Sequence, residues 1–295
     1  MNYLISGKNS SKLGELLAKK LEYQNITLSS KTFTDGETLL RFENFPDDAI
    51  LVVVVQNLNK PQEFNLFQLL NIVQGLKRRN VPKIIAVTPY FCYARADREA
   101  YPGDIVSLQT VLKLIQTSSV DNLITIDIHN PNALGNPGFN VSNLLPSKAI
   151  SNYFRDKYTI DDTWKVIAPD KGALYRAKAL AEALSIPYSN LHKSRDKVTG
   201  EVSYKVQEIE VRKNVIIVDD ITTSGASILK SNKILMENGA ENVHVVISHL
   251  VDIKAGESIS SEITGEMLST TSFQTPYSKI EIADIITEEI RKFTS

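Results

Sequence analysis

Val215-Ile-Ile-Val-Asp-Asp-Ile-Thr-Thr-Ser-Gly-Ala-Ser227 sets four apolar residues directly before two carboxylates, a group of hydroxyls and a glycine. A short continuous apolar run is the pattern of a strand buried on both faces of a parallel sheet, and in open α/β sheets ligands gather just beyond the carboxyl ends of such strands. Asp219 and Asp220 are expected to emerge there. Beyond them Thr223, Ser224, Gly225, Ala226 and Ser227 offer small side chains and successive backbone N–H groups. A helical pattern from Ile228 to Asn238 follows at once, which is how a helix N-terminus cradles a phosphate. Carboxylates beside such a cradle suit a phosphorylated sugar, because they can accept bonds from its hydroxyls or hold Mg²⁺ while the loop takes the monophosphate. A strand end whose acids cap the next helix would explain a lone Asp-Asp pair equally well.

Working outward, apolar runs at Ile50 to Val55, Ile84 to Val87, Leu123 to Ile126 and Val243 to Ile247 read as further buried strands, separated by helical patterns. One helix carries Phe67, Leu70, Val73 and Leu76 at spacings of three, with Lys77, Arg78 and Arg79 near its C-terminal end. Alternating strands and helices predict a doubly wound α/β sheet. The unit also echoes itself. Ile50 to Asn57, followed by a helix and Val81 to Val87, parallels Asn214 to Asp220, followed by a helix and Asn242 to Val246. In the first copy Gln56 and Asn57 replace the acids and Leu58-Asn-Lys-Pro61 replaces the phosphate loop, so the second copy is expected to hold the sugar phosphate. At 295 residues the chain suits two cores, with a break near Leu144-Leu-Pro-Ser147.

Further loaded loops follow other strands. Thr88 to Arg98 delivers Arg95 and Arg98, whose guanidinium forks match phosphate oxygens, although a solvated loop paired by Asp97 and Glu99 fits the same residues. Asp127-Ile-His129 puts a carboxylate and an imidazole at a strand end, where the histidine could be structural, a minority Mg²⁺ ligand or a phosphate contact. Asp170-Lys171-Gly172 runs from a strand into a helix and reads as a second anion seat, for a diphosphate, or as a turn with Asp170 as N-cap. Lys193 and Arg195 open a polar, glycine-containing stretch that reads as a lid bringing cations to transferring phosphoryl oxygens, or as an exposed hairpin.

Composition narrows the field. With 33 basic and 34 acidic residues the net charge is -1, so no electrostatic footprint for nucleic acid or an anionic membrane is present. No apolar stretch approaches the roughly 20 residues that span a bilayer, and Cys92 as the sole cysteine excludes an intrachain disulfide. The N-terminal residues lack a charged lead and a signal-like apolar core, making the cytoplasm the expected location.

Residues 215–227 resemble the phosphoribosyl-pyrophosphate binding motif of the type I phosphoribosyltransferase fold. Taken with the other segments, nearly the whole chain resembles the ribose-phosphate diphosphokinase (phosphoribosyl pyrophosphate synthetase) family. Phe33-Thr-Asp-Gly-Glu37 looks like that family's Phe-x-Asp-Gly-Glu, and the short Glu99 to Gly103 connection looks like its archaeal members. The resemblance implies two duplicated phosphoribosyltransferase-like domains, each a mostly parallel sheet flanked by helices. These are 1–146, presenting ATP, and 147–283, binding ribose 5-phosphate, with 284–295 a C-terminal helix packing back on the first domain. It implies ATP contacts from Phe33, Asp35, Glu37, Arg95, Asp97, Arg98 and His129, and a diphosphate loop at Asp170, Lys171 and Gly172. Ribose 5-phosphate contacts fall at Asp219, Asp220 and residues Thr223 to Ser227. By the same resemblance Lys193 and Arg195 would be the catalytic cations, and Mg²⁺ the cofactor, held at His129 and Asp170. The adenine site is implied to be shared across a subunit interface, hence a homodimer or larger. Ala226 and Ser227 stand where the family usually has Gly-Thr, so a positive φ at 226 would strain the alanine. A phosphoribosyltransferase of the same fold and a non-catalytic relative are the alternative readings.

Overall fold

A computed structural model describes residues 1–195, 202–205 and 210–294, with side chains described outside 192–195 and 202–205. The chain divides into two compact units, Met1–Leu144 with the segment from Ala283 onward, and Leu145–Ile282. Each is built around a six-stranded sheet in which every neighbouring pair is parallel. The first sheet runs Gln24–Asn25, Asn2–Ser6, Leu51–Val55, Lys83–Thr88, Asn122–Ile126, Asn140–Leu144 across its width. The second runs Tyr188–Asn190, Trp164–Ala168, Asn214–Thr222, Asn242–Leu250, Met267–Thr270, Ser278–Ile280.

Counted along the chain, both sheets have the spatial order 2-1-3-4-5-6, and both carry a two-stranded antiparallel ribbon between their second and third strands. The ribbons are Thr27–Thr32 with Thr38–Glu43, and His192–Arg195 with Val202–Lys205. The internal echo is thus a structural duplication, and Leu51–Val55 is the counterpart of Asn214–Thr222. Residues 33–37 form the tip of the first ribbon.

Central strands are apolar throughout because both faces are covered: Val52 to Val55 are fully buried. In the second unit the alternation of a strand sorts side chains to opposite layers. Ile216 and Val218 pack with the helices Ser147–Lys157 and Leu174–Leu184. Val215 and Ile217 join the layer of Ile228, Leu235 and Ile259, on helices Ala226–Glu237 and Ile253–Glu262. In the first unit the helix Ala283–Lys292 lies against Ser11–Leu21, burying Ile286 and Ile290. Lys20 is 2.6 Å from Asp284, and Ser142 Oγ donates to Glu289 Oε1 at 2.6 Å.

Two expectations are corrected. In the helix Gln62–Lys77 the buried face is Leu66, Leu69, Ile72, Val73 and Leu76, while Phe67 is 63 % exposed. A strict spacing of three drifts round a helix of 3.6 residues per turn, so Phe67 falls off the stripe that the later residues share. The acids, moreover, do not follow the strand but lie within it. Asn214–Thr222 keeps its register with Asn242–Leu250 through Asp219↔Ile247 to Thr222↔Leu250, because that neighbour extends equally far.

Candidate active site

On its other side the acidic strand loses its partner early. Pairing with Trp164–Ala168 ends at Ile217↔Ile167, and that neighbouring strand then turns away through Asp170 into the short 3₁₀ turn Lys171–Ala173. This opens the carboxyl edge of the second sheet around Asp219 and Asp220, with the turn touching the strand. Asp170 is the N-cap of that turn. Its Oδ1 accepts from Gly172 N at 2.8 Å and from Ala173 N at 3.3 Å, and a Cβ at Gly172 would stand 3.1 Å from the same oxygen. The capping role weighed for Asp170 is therefore present, and it leaves Oδ2 as the oxygen able to meet another ligand. Lys171 and Gly172 are exposed beside it.

The two aspartates are unlike. Asp220 is 4 % exposed and faces Arg176 on the helix Leu174–Leu184, with Oδ2 at 3.5 Å from Nη2. Asp219 is half-buried and accepts from Asp220 N at 3.0 Å. Burial, and after it the adjacent Asp220 charge, pushes the Asp219 carboxyl well above the usual carboxylate range, with Arg176 pulling the other way.

Past the acids the loop is preformed. Gly225 takes the left-handed conformation, φ +73°, and its N–H donates to Thr222 Oγ1 at 3.0 Å; Ala226 N donates to Ser224 Oγ at 3.5 Å. Residue 225, not 226, needs the positive φ, so Ala226 sits unstrained as the first residue of its helix. Thr223, Ser224, Ala226 and Ser227 are exposed above buried Ile228, so the first helical N–H groups face outward with small side chains around them. Thr222 was passed over in the sequence, where a threonine at a strand end carries no distinguishing signal.

In the first unit the loops after Lys83–Thr88 and Asn122–Ile126 are stitched together by Asn130 Nδ2, which donates to Asp97 Oδ2 at 2.6 Å. Glu99 Oε1 accepts from Gly103 N at 2.6 Å. Both acids of the loop are thus engaged elsewhere, and among the described residues Arg95 and Arg98 have no ion-pair partner and stand exposed. The paired-loop alternative is not what forms. Asp127 is buried in the left-handed region at φ +41°, held by its N–H to Leu144 O at 2.9 Å, while Ile128 N donates to Asn143 Oδ1 at 2.8 Å; this turns His129 out to the surface. Asn130, unflagged in the sequence, is what sets this loop pair.

Phe33 to Glu37 form the tip of the first ribbon. Phe33 N donates to Glu37 O at 2.8 Å and Glu37 N to Asp35 Oδ1 at 3.0 Å, with Gly36 at φ +92°. Phe33 is 43 % exposed with Lys31 Nζ 5.5 Å from its ring, and Asp35 and Glu37 are exposed. The side chains of Lys193 and Arg195 lie outside the described residues; their backbone forms one strand of the second ribbon. Cys92 is fully buried and its thiol is pushed up to about 12 by burial, which removes it as a nucleophile.

A duplicated parallel sheet with an acidic third strand and a glycine-hinged anion loop defines a protein of the phosphoribosyltransferase fold, and the family models divide the same way. Residues 2–118 match the N-terminal domain of ribose phosphate pyrophosphokinase, and residues 145–275 match the phosphoribosyl transferase domain. The chain is 38 % identical to a ribose-phosphate pyrophosphokinase of Pyrococcus furiosus, across 95 % of this chain and 97 % of that one. It is 33 % identical to that of Sulfurisphaera tokodaii, across 98 % and 99 %. The crystal structure of phosphoribosylpyrophosphate synthetase from Mycobacterium smegmatis superposes with a TM-score of 0.85 at 23 % identity, covering 99 % of this chain and 98 % of that one, and shares the fold. The chain belongs to the ribose-phosphate pyrophosphokinase family: it is an enzyme that transfers diphosphate from ATP to ribose 5-phosphate.

Proposed function

We propose that the acidic strand end and the 223–227 loop of the second unit bind ribose 5-phosphate, and that Phe33, Asp35, Glu37, Arg95, Asp97, Arg98 and His129 serve ATP. The preformed loop hinged at Gly225 beside half-buried Asp219 carries this reading, because it pairs a phosphate seat with a hydroxyl acceptor on one strand–helix junction. The sugar's 1-hydroxyl oxygen attacks the β-phosphorus of ATP. The bond from that phosphorus to the bridging oxygen breaks, AMP leaves with the electron pair, and the hydroxyl proton passes to solvent. No covalent enzyme intermediate is required. Asp219 orients the ribose from its exposed side, Asp220 supports it from within the sheet, and the Asp170–Gly172 turn receives the diphosphate. Lys193 and Arg195 stabilise charge on the transferring group.

Among the described residues no three His, Cys, Asp or Glu side chains gather into a metal cage. Mg²⁺ is commonly held by one or two protein ligands together with substrate phosphates and water; exposed His129 in the first unit, and the second carboxylate oxygen of Asp170 in the second, are each a donor suited to such an ion. Bound there, it would neutralise phosphate charge. A homodimer or larger assembly would bring Phe33 to a neighbouring chain's nucleotide. No described helix is long and apolar enough to cross a membrane, and we assign the protein to the cytoplasm.

A phosphoribosyltransferase reading would leave the first unit without a task, whereas residues 2–118 match a pyrophosphokinase domain. Lys193→Ala tests the catalytic assignment. It should lower kcat by about 10²-fold or more with KM values for both substrates within a few-fold, measured by AMP release; an unchanged kcat would remove Lys193 from the chemistry.

A further inference from the structure

Arg176 lies three residues past the Lys171–Ala173 turn, on the helix that this turn starts, and is 4 % exposed. Its guanidinium stacks over the Tyr175 ring at 4.4 Å and reaches the equally buried Asp220 at 3.5 Å. A fully desolvated ion pair is a poor way to gain stability, since apolar residues of the same size commonly do as well, but removing one partner strands the other. This pair joins the two elements that carry the proposed diphosphate turn and the proposed ribose strand.

We infer that Arg176 is a positioning residue of the sugar site: it fixes Asp220, and through it the backbone that presents Asp219, against the helix that carries the diphosphate turn. The inference rests on the ribose assignment made above. Asp220 N donates to Asp219 Oδ1, so a shift of the buried residue moves the half-buried carboxyl of its neighbour directly. The first unit offers a natural contrast, because Gln56 and Asn57 replace the acids at the corresponding strand and Asn57 Oδ1 instead accepts from Tyr90 N at 2.7 Å.

Full-length Arg176→Met, Arg176→Lys, Asp220→Asn and the Arg176→Met/Asp220→Asn double variant separate the possibilities by steady-state kinetics and thermal unfolding. Arg176→Met should raise KM for ribose 5-phosphate about tenfold or more, leaving KM for ATP within about twofold. Arg176→Lys, which keeps the charge but not the fork, should recover most of that loss. The double variant should be no worse than the worse single one, as expected when both changes break one interaction. Multiplying single effects in the double variant, or KM values for sugar and ATP rising together, would overturn the inference. If Asp220→Asn raises the sugar KM while the Arg176 variants do not, Arg176 alone loses its role. If Asp220→Asn leaves the sugar KM unchanged, the ribose assignment of the strand fails and the inference falls with it. Should Arg176→Met not fold, the same comparisons are read from Arg176→Lys and Arg176→Gln.

Discussion

Asp219 and Asp220 are adjacent in the chain yet belong to different layers, because consecutive residues of a strand project to opposite faces. Asp220 joins the layer of Ile216 and Val218 and meets Arg176, whereas Asp219 follows Val215 and Ile217 and stays half-buried at the sheet's open edge. The sequence announced both acids and could not tell them apart, since the difference depends on Arg176, 44 residues before Asp220. Gly225 is the second decisive residue. Its φ of +73° is unfavourable for any L side chain, and a Cβ there would stand 3.0 Å from Ile259 Cγ1. Gly225→Ala should cost about 1–3 kcal/mol of stability and weaken sugar binding, because the loop must move to relieve the strain. Equal unfolding midpoints for the variant and the parent chain would show that the hinge tolerates a side chain.

Among the elements, strands buried on both faces were the easiest to read, since five consecutive apolar residues leave little choice. The ribbons and edge strands were not. Thr27–Thr32 and Asn140–Leu144 are short, mixed and partly exposed, and only their pairing makes them strands. A packed cluster at the amino end of the second sheet was equally hidden. His244 is stacked with Trp164 at 5.4 Å and ringed by Phe154 and Tyr158, and its Nδ1 accepts from Glu266 N at 3.2 Å. Burial drops its pKa from 6.5 to about 4. The folded state therefore holds His244 neutral, so its contribution is complete above pH 6.5 and lost as the pH falls towards about 4, because the unfolded chain takes up the proton first. Burial alone would raise Glu266, but Lys157 and Tyr158 outweigh it and hold the carboxyl below its ordinary value, so its contribution also declines on acidification. Unfolding followed by the fluorescence of Trp164, the only tryptophan, should show stability falling by about 2–3 kcal/mol across that window. His244→Phe should flatten the slope; a slope unchanged by that substitution would place the acid sensitivity elsewhere.

For the whole molecule, both halves share one topology, yet only the second carries the acidic pair and the small-residue loop after its third strand. Where the second copy has its acids, the first has amides that close on their own unit: Asn9 Nδ2 donates to Asn57 O at 2.8 Å, and Gln56 Nε2 to Asn65 Oδ1 at 3.1 Å. The sequence echo exposed this because strand and loop chemistry diverged while spacing did not. The assembly proposal makes its own prediction. If Phe33 completes a neighbouring chain's nucleotide site, dissociated and remixed Phe33→Ala and Lys193→Ala chains should regain up to about a quarter of normal activity at limiting ATP, since about half the dimers formed are mixed and each has one intact site. No recovery beyond the sum of the parents would confine each site to one chain. The central claim, that the acidic strand of the second unit receives the pentose phosphate, is tested most directly by titrating ribose 5-phosphate at saturating Mg·ATP while following AMP release, in the natural chain and in Asp219→Asn. AMP should form only with the sugar, and the substitution should raise the half-saturating sugar concentration about tenfold or more while leaving that for ATP unchanged. AMP release independent of sugar, or a shift confined to ATP, would contradict the account.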